Sequence, residues 1–119
     1  MKEVGDTPVV CFDVDDTLIM WGIIEYTTPA RDDVITFTDH AGLTFTCRYH
    51  KAHVEHIKSH KSRGHFVIVW SAGGGVWAQK AVEILGLKDY VDQTMSKPSW
   101  YIDDKKAEYW MGSPEFLEE

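Results

Sequence analysis

Positive charge is scarce in this chain: twelve Lys and Arg stand against nineteen Asp and Glu, a formal net charge of −7 over 119 residues. That balance repels a phosphate backbone at long range and leaves no basic stripe to offset the repulsion, so extended nucleic-acid binding is disfavoured. Cysteine is nearly absent as well. Cys11 lies in an apolar strand-like run and Cys47 in a predicted hairpin; with no CxxC pair, they read as two free thiols in a reducing compartment. Four Pro and nine Gly are too few for a collagen-like or low-complexity chain. No run of about 18 apolar residues is present to span a bilayer. Met1 to Asp6 lack the apolar stretch of a secretion signal, so a cytoplasmic protein with no membrane partner is expected.

What is present is an ordinary globular composition, 44% hydrophobic and 26% charged, at a length suited to one domain over 1–119. Val9-Val10-Cys11-Phe12 and Phe66-Val67-Ile68-Val69-Trp70 are short apolar runs of the kind found in buried parallel strands, and they stop at Asp13 and Ser71. Val34 to Thr38 and Leu43 to Cys47 flank Asp39-His40-Ala41-Gly42, which predicts an antiparallel hairpin insertion over 34–47. Spacing predicts an amphipathic helix from His50 to about Arg63, stopped by Gly64, and a second from Val76 to near Gly86. Further strands are expected at Tyr90-Val91-Asp92 and at Trp100-Tyr101-Ile102, the latter ending in Asp103 and Asp104. A short helix is then expected over Lys105 to Gly112, and a solvated tail over Glu115 to Glu119. Alternation of this kind predicts a three-layer α/β fold with a Rossmann-like parallel sheet, where ligands bind outside the carboxyl edge.

Phe12-Asp13-Val14-Asp15-Asp16-Thr17-Leu18 carries the most chemistry. Three carboxylates crowded behind an apolar strand repel one another unless a cation, donors or protonation offsets the charge. Oxygen donors of this type suit a hard divalent ion, Mg²⁺ before a thiolate-preferring metal. Asp13 and Asp15, two residues apart at a strand end, can flank a substrate as nucleophile and general acid. An Asx-turn or helix cap at Asp15 or Asp16, or calcium binding without catalysis, fits the same spacing.

The string Asp13-Val14-Asp15-Asp16-Thr17 resembles the DxDxT signature of the haloacid-dehalogenase-like hydrolase superfamily. Ser71 at the end of the second apolar strand, Lys97 in Ser96-Lys97-Pro98, and the acidic pair in Ile102-Asp103-Asp104 follow the family's order. The resemblance implies a Mg²⁺-dependent phosphatase in which Asp13 attacks phosphorus to form an aspartyl phosphate and Asp15 serves as acid and base. It implies metal coordination by Asp13, Asp15 (through its backbone carbonyl) and Asp104, with Asp103 as the second candidate for that last position. Thr17 would orient the loop, Ser71 and the amides of the glycine-rich turn would bind a phosphoryl oxygen, Lys97 would neutralise charge, and Asp103 would hold Lys97. Read alone, Ser71 is a helix cap, Lys97 a solvated side chain, and Asp103 or Asp104 a cap for the next helix.

Two departures from the family pattern qualify this reading. Only Pro98 to Tyr101 separate Lys97 from Ile102, where larger members place a helix and another strand, and no cap domain fits between Asp15 and Ser71. In similar capless proteins the pocket is open to bulky phosphoesters or is closed by a neighbouring subunit. The expected partner is thus a phosphorylated small molecule or an accessible terminal phosphate, with a homo-oligomer as one way of closing the site. The competing expectation is a phosphate- or metal-responsive binding or assembly module without turnover.

His50, His53, His56 and His60 form a dense cluster for which surface or structural roles are preferred over a metal site, since neither Cys is at a partner spacing. Trp70 and Trp100 are expected in the core, and Trp21 is the candidate substrate wall. Gly73-Gly74-Gly75 lacks the Lys and hydroxyl residue of a phosphate-binding Walker loop.

Overall fold

The computed structural model describes residues 7–22 and 32–119. The reading of Met1 to Asp6 as free of a secretion signal lies outside them. β1 (Val9–Asp13) pairs in parallel with β5 (Phe66–Ser71), which pairs in parallel with β6 (Gln93–Ser96), giving the sheet order β1-β5-β6. The register aligns Asp13 with Trp70 and Ser71 with Ser96, so the polar ends of all three strands reach one rim. A second, antiparallel sheet of order β2-β4-β3 joins β2 (Ile19–Met20), β4 (Thr44–Tyr49) and β3 (Val34–Thr38). The result is the expected three-layer α/β architecture, a generic Rossmann-like arrangement with a small antiparallel insertion.

Helix α1 (Lys51–Ser62) starts where His50 caps it: His50 Nδ1 accepts the backbone N–H of His53 at 3.0 Å. It ends at Arg63, followed by Gly64 at φ +77°, a backbone region that glycine enters without steric cost. Its apolar face, Val54 and Ile57, meets the sheet from one side, while Ala78, Ala81 and Val82 of α2 (Gly75–Ile84) are buried against β5 and β6. Val14, Leu18, Ile19, Val67, Val69 and Leu87 complete the core, each fully buried. A buried side chain of this size contributes about 1.5–3 kcal/mol relative to exposure. Asp92 ties the framework together, accepting the Val67 N–H at 2.8 Å and the Lys61 ammonium at 2.6 Å. Those contacts, the Lys61 bond first, hold its carboxyl below the ordinary value.

Several expectations beyond Leu87 are corrected. The segment at Tyr90 is a 3-10 turn (Lys88–Tyr90), and the strand begins later, at Gln93. Trp100-Tyr101-Ile102 forms no strand: Pro98 has no N–H for a ladder, the Asp103 carboxylate caps a turn at the Lys105 N–H (3.1 Å), and Ile102 is fully exposed. Trp100 is accordingly outside the core, 90% exposed. The expected helix over Lys105 to Gly112 contracts to one 3-10 turn, Ala107–Tyr109, since so short a segment cannot offset helix nucleation without a buried face.

The tail beyond Pro114 is not simply solvated. It lies against α1, with the Leu117 N–H donating to His53 Nε2 at 2.8 Å and the Phe116 ring edge-on to His50 and His53. Glu119 pairs with Arg48, which also bonds Asp33. Among the described residues no helix is long and apolar enough to cross a membrane.

Candidate functional site

At the carboxyl end of β1 the chain turns sharply. The N–H groups of Thr17, Leu18 and Ile19 all donate to the Val14 carbonyl, and Asp16 N–H donates to Ile19 O at 2.7 Å. Asp16 sits at φ +58°, in the left-handed region that Asp tolerates better than most residues, and its Oδ1 accepts the Trp21 N–H at 3.1 Å. This turn sends Asp13 and Asp15 to different surroundings.

The Asp13 carboxylate accepts from Thr17 Oγ1 at 3.3 Å and opens into a groove of about 770 Å³. Thr17, Trp70, Lys97 and the His53 ring share that groove. Asp15 is fastened from three directions. Trp21 Nε1 donates to its Oδ1 at 2.8 Å, Trp77 Nε1 to the same oxygen at 3.2 Å, and Ser71 Oγ to Oδ2 at 3.4 Å. The two indoles pack at 6.2 Å in an aromatic group with Phe37 of β3, so the hairpin sheet braces the wall beside Asp15.

Ser71 is fully buried, and its Oγ also accepts the Gly73 N–H at 2.9 Å. Gly73 is required by space: a Cβ there would stand 3.3 Å from both Ser71 Oγ and Trp77 Cδ1. Gly74 N–H donates to Ser71 O and Gly75 N–H to Ser96 Oγ. The three glycine amides are therefore committed within the protein, which corrects the expectation that they serve as free phosphate donors. Lys97 is positioned through its backbone, N–H to Ser71 O at 2.8 Å, and its exposed side chain lines the groove without an ion pair among the described residues.

Asp103 and Asp104 are not brought to this cluster. Both are exposed, and no hydrogen bond or ion pair connects either to Asp13, Asp15 or Lys97 among the described residues. The Asp103 carboxyl is lowered, first by a side-chain hydrogen bond with Asp104 and then by the Lys105 N–H. Trp21 and Trp77 are the gain over sequence reasoning. The sequence points to Trp21 as an aromatic wall, but nothing in it signals that two indole N–H groups converge on one carboxylate oxygen.

The histidines of α1 are structural at its start. His53 is 2% exposed; its Nε2 accepts from Leu117 N–H, so Nδ1 carries the proton and donates to Thr17 O at 2.7 Å. Burial is the main cause that pushes His53 below the ordinary imidazole value. His60 is lowered too, by burial and then by His56.

For an incoming Mg²⁺ the donor that the structure sets in the groove is the Asp13 carboxylate. Hard oxygens of this kind fit an ion that keeps several waters and is held by one or two carboxylates plus a substrate phosphate. Among the described residues no three His, Cys, Asp or Glu side chains are grouped so as to hold a metal ion. Comparison with protein-family models, with curated proteins and with solved structures returns no match.

Proposed function

We propose that this chain is a Mg²⁺-dependent phosphomonoester hydrolase of the haloacid-dehalogenase-like type. The observation that carries the reading is the division of labour at one strand end: Asp13 is open to the groove beside Lys97, while Asp15 is held rigidly by Trp21, Trp77 and Ser71. An acid-base group needs fixed geometry, which three donors give the exposed Asp15, and a nucleophile needs a path to substrate, which the groove gives the half-buried Asp13.

Asp13 attacks phosphorus, and the P–O bond to the leaving alcohol breaks as Asp15 delivers a proton to the departing oxygen. Asp15 then takes a proton from water, whose oxygen attacks the phosphorus of the aspartyl phosphate; inorganic phosphate leaves and Asp13 is restored. Ser71 uses its one hydroxyl proton to orient Asp15, and Lys97 offsets the negative charge of the phosphoryl group. Bound Mg²⁺ would neutralise charge on the phosphoryl oxygens. The substrate class that fits this reading is a phosphorylated small molecule or an exposed terminal phosphate; Asp13 and Lys97 line the groove, and Asp15 and Ser71 stand outside its lining.

The test is phosphate release from sugar, nucleotide and nucleic-acid-end monoesters with and without Mg²⁺, beside the Asp13→Asn protein. Metal-dependent release that disappears in the variant is expected; release retained by Asp13→Asn refutes the mechanism. The remoteness of Asp103 and Asp104, with the committed glycine amides, favours a second reading, a phosphate-responsive module without turnover. Phosphate binding with neither product nor adduct at Asp13 would support it.

A further inference from the structure

Beyond the proposed phosphatase chemistry, the segment after β6 stands off the body of the protein. Every residue from Lys97 to Lys106 is exposed, and the radius of gyration, 15.9 Å, exceeds the roughly 13–14 Å of a compact chain of this length. The projecting arm has contacts of its own. Tyr101 Oη accepts the Ala107 N–H at 3.2 Å, the Tyr101 and Trp110 rings meet edge-on at 6.4 Å, and the Asp103 carboxylate accepts the Lys105 N–H at 3.1 Å. Even so, Trp100, Tyr101, Ile102, Tyr109, Trp110 and Met111 are all exposed, six of the fourteen large apolar side chains left so among the described residues. Apolar exposure concentrated in one short segment, rather than scattered singly, marks an interaction surface.

The order of residues in the arm indicates what covers it. Trp100-Tyr101-Ile102-Asp103-Asp104-Lys105-Lys106-Ala107-Glu108-Tyr109-Trp110 is self-complementary about Lys105: counted outward from it, Asp104 stands opposite Lys106, Tyr101 opposite Tyr109 and Trp100 opposite Trp110. A two-fold interface needs that relation, because residue i of one copy meets j of the other while j meets i. Two acids and two bases at positions 103–106 leave the centre without net charge in a chain of −7, so two copies can approach there without like-charge repulsion. The area agrees. At about 150–250 Å² for a whole aromatic side chain, the exposed parts of the six apolar residues come to roughly 600–900 Å², and a standard interface takes about 800 Å² from each partner.

We propose that this arm is where two copies of the chain dock, antiparallel about Lys105. Trp100 and Tyr101 pack on Trp110 and Tyr109 of the partner subunit, and Asp104 pairs with Lys106 of the partner subunit on both sides of the axis. The aromatic residues supply the buried area, and the charge pairs fix the register. Because the arm's internal contacts already hold its turn, docking leaves little of it to be ordered.

The experiment is the mass of the full chain in solution, by sedimentation and light scattering over a wide concentration series, and it does not depend on turnover. A concentration-dependent shift to the mass of two chains is expected. Trp100→Ser combined with Ile102→Ser should leave a monomer whose urea midpoint is unchanged, since both side chains are exposed. Asp104→Lys and Lys106→Asp should each weaken self-association roughly tenfold by setting like charges face to face, and mixing the two variants should restore dimers, one copy of each. A chain that stays monomeric throughout, its arm left for a different protein or a lipid surface, overturns the proposal. So do a dimer that survives the double serine change and charge variants that fail to rescue each other on mixing.

Discussion

Replacing His53 by Leu tests how the turn carrying Asp13 is held. The ring bridges two backbone groups far apart in sequence, the Thr17 carbonyl and the Leu117 N–H, stacks on His50 at 3.6 Å and meets Phe116 edge-on at 4.8 Å. Each lost hydrogen bond contributes about 0.5–1.5 kcal/mol and the aromatic contacts about 0.5–1.5 kcal/mol, partly offset by the apolar replacement. A net loss of about 2–3 kcal/mol follows, read as a drop in urea midpoint at constant slope. The pH dependence is the sharper readout. His53 has its folded value depressed, so below the unfolded value the unfolded chain binds more protons and stability falls as pH drops from about 6.5 toward the folded value. His60 adds a slope of the same sign, so His53→Leu should flatten the acid-side loss without eliminating it. Unfolding curves collected between about pH 5 and 8 span that window. A variant with unchanged midpoint, or with the full slope retained, would refute the proton assignment.

Three further outcomes are expected. Asp92→Ala removes the acceptor of the Val67 N–H and of Lys61; it should cost about 1–3 kcal/mol near neutral pH, measured by urea denaturation, and the difference from the unmutated chain should shrink as acid titrates the depressed Asp92 carboxyl. Ile57→Ala, at a fully buried position on α1, should cost about 2–5 kcal/mol in the same assay, and a smaller loss would mean the α1–sheet contact is looser than described. Trp21→Phe keeps a ring in the aromatic group but removes the 2.8 Å bond to Asp15; because the site is exposed and Trp77 remains, a loss of about 1–2 kcal/mol, five- to thirtyfold in kcat/KM for a monoester, is expected. Unchanged turnover in Trp21→Phe would remove the argument that Asp15 needs this donor.

The parts of the fold that could be read from sequence are those specified by local pattern. The apolar runs ending at Asp13 and Ser71 became paired parallel strands because burial on both faces demands continuous apolar residues, and the helix beginning after His50 followed its spacing and its stop at Gly64. What failed depended on partners distant in sequence. Trp100-Tyr101-Ile102 looks strand-like in isolation, yet Pro98 and the Asp103 turn leave it without a neighbour. Asp103 and Asp104 consequently stay away from Asp13, although their order along the chain matched the family pattern. The tail looked polar until His53 and Arg48 provided something to dock on. At the site, the order of Asp13, Asp15 and Ser71 was legible, whereas the convergence of Trp21 and Trp77 on one oxygen came from the hairpin folding over the rim.

The turn at Asp16 also determines which alleles the chain can accept. With φ at +58°, the position selects on backbone handedness before side-chain chemistry, and ordinary L residues pay about 1–2 kcal/mol there. Asn should pass most easily, keeping an oxygen for the Trp21 N–H, and Gly next, relieving the backbone while losing that bond. A β-branched residue would be purged even if neither Asp13 nor Asp15 were touched, so a saturation library at codon 16 would record the shape of the loop in its survivors.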